Sequence, residues 1–159
     1  MNDPIIVVGS GLAGYTVARE LRKLDRQAPL IMVAQDSGDF YSKPTLSNAF
    51  AQRKSPEQLV TTLAEGMAGQ LDMTLLKSTR VTSIDTAARV VASTVGEHRY
   101  RALVLAVGAD AIRLPLAGDG AGDVLSVNDL ADYARFRAAV GAARRVAVIG
   151  AGLIGCEFA

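Results

Sequence analysis

The chain has 159 residues, half of them apolar and 21% charged, with 17 basic against 16 acidic side chains. That length holds one core of ordinary size, and the apolar share suits a buried α/β sheet and excludes a disordered tail. A net charge of +1 gives no footing for nucleic acid, a single cysteine excludes an internal disulfide or a multi-cysteine metal site, and no run approaches the roughly 20 apolar residues that cross a bilayer. No metal site is expected. The acidic opening Met1-Asn2-Asp3-Pro4 does not read as a secretory or mitochondrial leader, so a soluble, cytoplasmic protein is expected.

Ile5 to Val8 form a short apolar run of the kind buried on both faces of a parallel sheet. Gly9-Ser10-Gly11-Leu12-Ala13-Gly14 follows, and then Leu12, Tyr15, Val17, Ala18, Leu21 and Leu24 recur at helical spacing with Arg19, Glu20, Arg22 and Lys23 on the wet side. Leu30 to Ala34 predict a second strand, closed by Gln35-Asp36. Pro44 fits the first turn of a short helix through Ala49. Ser55-Pro56-Glu57-Gln58 starts another, with Ser55 and Gln58 as a capping box, and helical spacing runs patchily to Leu71.

Met73 to Leu76 and Arg80 to Ile84 predict strands. Val90 to Ser93 and His98 to Arg101 predict a hairpin about Val95-Gly96, which places His98 on a surface strand or turn. Ala102 to Val107 is again continuously apolar and ends at Gly108. Residues 109 to 144 read as a connector, loop-like at first and then helical from Asn128 to Val140, with Gly141 at the helix end. Arg144 and Arg145 read as a solvated entrance to a last strand, Val146 to Ile149. That strand runs into Gly150-Ala151-Gly152-Leu153-Ile154-Gly155, and only Cys156 to Ala159 follow.

Both glycine runs are G-x-G-x-x-G after an apolar strand. The first glycine makes the tight turn, the second lets backbone approach a pyrophosphate, the third packs helix on strand, and the phosphates meet the helix N-terminus. Two copies point to an enzyme that holds two dinucleotides and moves a hydride between them. The expected fold is therefore α/β: a Rossmann-like domain over 1–108, with a parallel sheet, helices and a small β-hairpin or meander layer, a connector over 109–144, and the start of a second Rossmann-like domain over 145–159. The second copy lacks the helix, strand and acidic residue that complete such a fold, so the chain is expected to be the front part of a longer enzyme or a truncated relic of one. Asp36 stands at the spacing for a ribose-binding acid; the lesser alternative is a turn aspartate before Ser37-Gly38.

Gly9 to Gly14, Tyr41-Ser42-Lys43-Pro44, Ala106-Val107-Gly108-Ala109, Asn128-Asp129-Leu130 and the run from Gly150 through Cys156-Glu157-Phe158-Ala159 together resemble the FAD-dependent pyridine nucleotide oxidoreductases, and within them the rubredoxin reductase branch. The resemblance implies FAD on Gly9, Ser10, Gly11, Leu12, Ala13 and Gly14, with Gln35 and Asp36 at the ribose. It implies NAD, supplied as NADH, on Gly150, Gly152, Leu153, Ile154, Gly155 and Glu157.

By the same likeness Lys43 and Pro44 lie beside the flavin, Lys43 pairs with Glu157 as the catalytic couple, Val81 meets adenine through its backbone, and Ala106 and Gly108 close over the flavin, with Val107 where a Thr is common. Surface lysine, first-turn glutamate and ordinary sheet valine are the alternatives for Lys43, Glu157 and Val81. Ser42 and Lys43 stand where disulfide-reducing relatives carry cysteines, so the implied partner is rubredoxin or a similar small iron electron carrier. A ferredoxin reductase and a non-catalytic flavin-binding fragment are the other readings. Cys156 is expected as a buried, inert thiol.

Overall fold

The computed structural model describes residues 3–159; Met1-Asn2, the first half of the opening expected to carry no leader, lie outside the described residues. The chain through Tyr41 together with Thr61–Gly108 forms one compact unit, and Ser42–Val60 together with Ala109–Ala159 forms a second. The sequence suggested contiguous blocks instead. Segment 42–60 joins the later residues because Tyr133 and Arg137 both donate to the Lys54 carbonyl, at 2.7 and 3.0 Å, and Phe136 packs its ring against those of Phe50 and Phe158.

The first unit is built on a parallel sheet of β1 (Ile5–Val8), β2 (Leu30–Val33), β5 (Thr74–Leu76) and β9 (Ala102–Leu105), in the order β5-β2-β1-β9. Ile5 pairs with Leu30 on one side and Ala102 on the other, so the continuous apolar runs of these strands face packed layers on both sides, as a parallel sheet requires. Period-two alternation sorts them. Val7 and Met32 pack with Tyr15 and Ala18 of α1 (Leu12–Leu24) and Met67 of α4 (Ala64–Gln70), while Ile6 and Val33 pack with Val91 and Tyr100. Val91 comes from the antiparallel meander β6 (Val81–Asp85), β7 (Val90–Ser93) and β8 (Gly96–Arg99), the small β layer expected from the sequence.

Several elements depart from the sequence expectation. The patchy helix from Ser55 to Leu71 is three elements: α3 (Pro56–Leu59) with both bonds of its capping box formed, β4 (Val60–Thr62), and α4. The β-branched run Val60-Thr61-Thr62 resists helix and pairs with β3 (Phe40–Tyr41), a strand too short to carry a periodic signal. In the second unit, α2 (Leu46–Ala49) follows a tight turn at Lys43–Thr45, and α5 spans Leu130–Ala142 behind its cap Asp129, whose side chain accepts from the Asp132 amide at 2.7 Å. Gly141 lies inside α5 rather than ending it. The predicted strand Val146–Ile149 is not a strand: Val146, Val148 and Ile149 are 55%, 45% and 58% exposed, and no described strand pairs with them. An apolar run becomes a strand only when a neighbour takes its backbone hydrogen bonds. A short α6 (Leu153–Phe158) follows the second glycine run.

Candidate functional site

The turn from β1 into α1 is shaped by three glycines with different duties. Gly9 has φ +109°, and a Cβ there would stand 2.2 Å from the Ala106 carbonyl oxygen; a Cβ on Gly14 would stand 2.0 Å from the carbonyl oxygen of Gly9. Neither position has room for a methyl group. Gly11 has no neighbour within 4 Å of such a Cβ, so the turn is closed against the protein at its ends and open outward in the middle. Gly11 also caps α1, with no side-chain cap and no acidic residue in the first turn, which leaves the leading amides of Leu12, Ala13 and Gly14 and the positive end of the helix dipole for an external anion.

Asp36, just past β2, faces this turn. Its Oδ1 accepts from Ser10 Oγ at 2.9 Å and from the Gly38 amide at 2.9 Å, while Oδ2 has no partner among the described residues. The carboxylate is thus held by one oxygen and offers the other. Ser10 is buried and belongs to the glycine turn itself, so the anion cradle and the acid are joined by a direct hydrogen bond. An open backbone cradle for a diphosphate and, beside it, a carboxylate oxygen free to accept hydroxyls are the donor and acceptor set that a dinucleotide needs, and the residues present fit one.

The other predicted residues of this unit gather at the same end of the sheet with one qualification. Gln35 is exposed next to Asp36. Ala106 donates its amide to the Val8 carbonyl at 2.8 Å and lies against Gly9, and Gly108 follows with φ +70°. Val81 is half-buried and packs its side chain on the cluster of Ile6 and Val33. Its approach is set by Ser78, whose amide donates to the Asp36 carbonyl at 2.8 Å, and by Thr79, whose amide donates to that of Ala34 at 2.8 Å.

The second unit repeats the glycine turn. Gly150 has φ +117°, and a Cβ on Gly155 would stand 2.0 Å from the Gly150 carbonyl oxygen, the relation that Gly14 bears to Gly9. Gly152 caps α6 without a side-chain bond, as Gly11 caps α1, and Leu153 and Ile154 open that helix exposed. Glu157 does not pair with Lys43. Its carboxylate accepts from the hydroxyl of Ser47 on α2, whereas the side chain of Lys43, in the exposed turn before α2, makes no ion pair or hydrogen bond among the described residues. Ser47 lies on the side of α2 that packs on α6, which is why it reaches Glu157 first. Pro44 is exposed beside Lys43 and contributes its carbonyl to Ser47 Oγ at 3.1 Å. Cys156, expected to be buried, is exposed, for α6 has no sheet beneath it among the described residues.

Two residues that shape the site, Tyr15 and Ser78, escaped sequence reading, and Gly38 was read only as part of a turn. Tyr15, read only as a core-facing helix residue, is fully buried and donates its hydroxyl to the Gly38 carbonyl. Gly38 takes φ +76° in the loop that carries Asp36, and Ser78 takes φ +49° against that loop. A Gly after Asp-Ser was a visible turn signal; the positive φ of Ser78 had none.

The family model described as pyridine nucleotide-disulphide oxidoreductase matches residues 3–159. A rubredoxin-NAD(+) reductase of Alcanivorax borkumensis is 45% identical over 156 residues, covering 98% of this chain and 41% of that protein. A nitric oxide reductase FlRd-NAD(+) reductase of Aliivibrio fischeri is 38% identical, over all of this chain and 42% of its own length. Among solved structures, the reductase in a covalent putidaredoxin reductase–putidaredoxin complex superposes with a TM-score of 0.80 at 30% identity, over 99% of this chain and 39% of that one. The chain thus spans about two fifths of the length of the curated relatives it matches.

Proposed function

We propose, from the premise that this chain belongs to the pyridine nucleotide-disulphide oxidoreductase family, that it is the flavin-binding part of a reductase carrying electrons from NADH through FAD to rubredoxin or a similar small iron protein. The observation that carries this reading is the joined pair of the open glycine turn and the half-free Asp36 carboxylate. The similarity to the Alcanivorax borkumensis rubredoxin-NAD(+) reductase supports the choice of acceptor. FAD, when bound, supplies the chemistry, accepting a hydride and releasing electrons singly.

This chain's own residues bind and orient. The amides of Leu12, Ala13 and Gly14 take the diphosphate, Ser10 and Asp36 fix the ribose, and the backbone of Val81, Ala106 and Gly108 borders the ring systems. Gly150, Gly152, Leu153, Ile154 and Gly155 form the turn for the nicotinamide nucleotide, and Glu157, held by Ser47, lies beyond the first turn of the helix that follows. Lys43 supplies a positive charge for the reduced state. No helix among the described residues is long and apolar enough to cross a membrane, and we place the reaction in the cytoplasm, where NADH is available.

The test is direct. The purified chain, titrated with FAD, is expected to quench flavin fluorescence and hold a yellow spectrum; a chain that leaves free flavin unchanged overturns the reading. In the full-length enzyme NADH should reduce rubredoxin faster than a ferredoxin, and the reverse preference reassigns the acceptor. Lys43→Met should slow flavin reduction while leaving flavin binding intact; unchanged reduction removes Lys43 from the chemistry.

A further inference from the structure

The loop that carries Asp36 is suspended from both helices that cover one face of the sheet. Tyr15 of α1 donates its hydroxyl to the Gly38 carbonyl, and Asp39 Oδ1 accepts from the Ala64 amide, the first of α4, at 2.8 Å. Between these two anchors the Gly38 amide donates to Asp36 Oδ1, so one residue is gripped on its carbonyl by Tyr15 and grips the carboxylate with its amide. Gly38 is itself buried, and a Cβ there would stand 3.0 Å from Leu75 and 3.5 Å from Ala64, so little slack exists around it.

Tyr15 is held as firmly as the loop. It is fully buried, and its ring meets that of Phe40 edge-on at 5.4 Å between centroids, while the Arg19 guanidinium covers the other ring at 4.3 Å. A phenylalanine would supply all of this packing. What only tyrosine supplies is the donor, and that donor ends on the residue that fixes Asp36. Burial first, and then the negative charges of Asp36 and Asp39, push the phenol up to about 12, so it remains a donor throughout the physiological range.

We propose that Tyr15 is a positioning residue for the adenosine ribose: through Gly38 it sets the Asp36 carboxylate at the height where its free oxygen meets ribose hydroxyls above the glycine turn. The inference rests on the reading that this turn holds a dinucleotide. It assigns to a core side chain a part in ligand selection that its burial conceals. Without the hydroxyl, the Gly38 carbonyl loses its donor, and although Ser10, Ser78 and Ala64 still hold the 36–39 loop, Gly38 no longer fixes the Asp36 carboxylate, which keeps its charge while losing its register.

The test measures affinity of the full chain for ADP, the adenosine half of FAD, and for 2′,3′-dideoxy-ADP, which lacks the hydroxyls, in wild type, Tyr15→Phe, Asp36→Asn and the double variant. Wild type should prefer ADP by about tenfold or more, the scale of a hydrogen bond to a charged group. Asp36→Asn should lose most of that preference, Tyr15→Phe should bring it to within about threefold, and the double variant should lose no more than Asp36→Asn alone. A tyrosine that merely fills the core would lower Tm and leave the preference intact, and that result overturns the proposal. If Tyr15→Phe yields no folded protein, Tyr15→Met, whose flexible side chain fills the same space without a donor, is read in the same way. Failure of wild type to bind ADP or FAD sinks the dinucleotide reading; binding by wild type with an undiminished preference in the Tyr15 variant sinks this inference alone.

Discussion

The hydroxyl of Ser10 donates to the carboxylate of Asp36 across 2.9 Å, joining the middle of the glycine turn to the end of the neighbouring strand. Removing either partner should weaken flavin binding without unfolding the chain, because Asp36 is exposed and neither side chain fills the core. Asp36→Asn is expected to lower FAD affinity about tenfold or more, and Ser10→Ala severalfold, the smaller loss because the Gly38 amide still holds Oδ1. Fluorescence quenching on titration with FAD reads both. Equal affinities in all three proteins would remove Asp36 from the site.

The three glycines of the first turn should separate cleanly. Gly14→Ala places a methyl 2.0 Å from the Gly9 carbonyl oxygen and Gly9→Ala places one 2.2 Å from that of Ala106, so each should cost about 3 kcal/mol or more in denaturant unfolding. Gly11→Ala meets nothing within 4 Å and should leave stability within about 1 kcal/mol of wild type. Its methyl instead stands where the diphosphate approaches, and FAD affinity should fall. A Gly11→Ala protein that binds FAD normally would show that the ligand does not come close to this backbone.

Much of this was legible from residues. Ile5–Val8, Leu12–Leu24 and Leu30–Val33 formed where apolar run, glycine turn and helical spacing foretold them, because a buried parallel strand and an amphipathic helix each leave a local periodic mark. Asp36 was singled out by its distance from the glycines. Tyr15 and Ser78 were not, since a hydroxyl that reaches a carbonyl 23 residues away and a serine at φ +49° leave no periodic mark. The run Val146–Ile149 shows the converse, a clear local signal whose meaning depends on neighbours that must pair with it. Glu157 likewise was implied by the family resemblance as a partner of Lys43, yet its partner, Ser47, was decided by which side of α2 meets α6.

Arg22 illustrates a stabilising role that spacing placed merely on the wet side of a helix. Its guanidinium donates to the carbonyls of Leu71, Asp25, Ala28 and Asp72 at 2.6, 3.2, 2.9 and 2.8 Å, tying the ends of α1 and α4 together. Arg22→Met should cost about 2 kcal/mol, since some of those carbonyls can turn to water instead. Arg22→Lys should recover little of it, because a single ammonium cannot span four separated acceptors. A Tm unchanged in both variants would show that water replaces the guanidinium at no cost.

Alkaline titration should report on Tyr15, one of the four tyrosines. Its phenol is raised from the ordinary 10.0 to about 12, mainly by burial. Folding therefore favours the protonated form: the contribution is fully present below pH 10 and is lost as pH climbs through the interval to about 12. In the difference between wild type and Tyr15→Phe, the phenolate absorbance that Tyr15 adds should appear only as the fold loosens. Absorbance from Tyr15 already near its ordinary value, with Tm unaffected, would contradict the buried hydrogen bond to Gly38.

The glycine bend at 150–155 reaches nearly the same backbone angle and the same 2.0 Å approach as the one at 9–14, although no described strand flanks it. Six residues thus carry their own instructions for bending, and the sheet around the first copy is their setting rather than their cause. A stretch this self-sufficient can be duplicated or moved as a portable part: a recipient chain acquires the hairpin of amides at once and can evolve the surrounding layers afterwards.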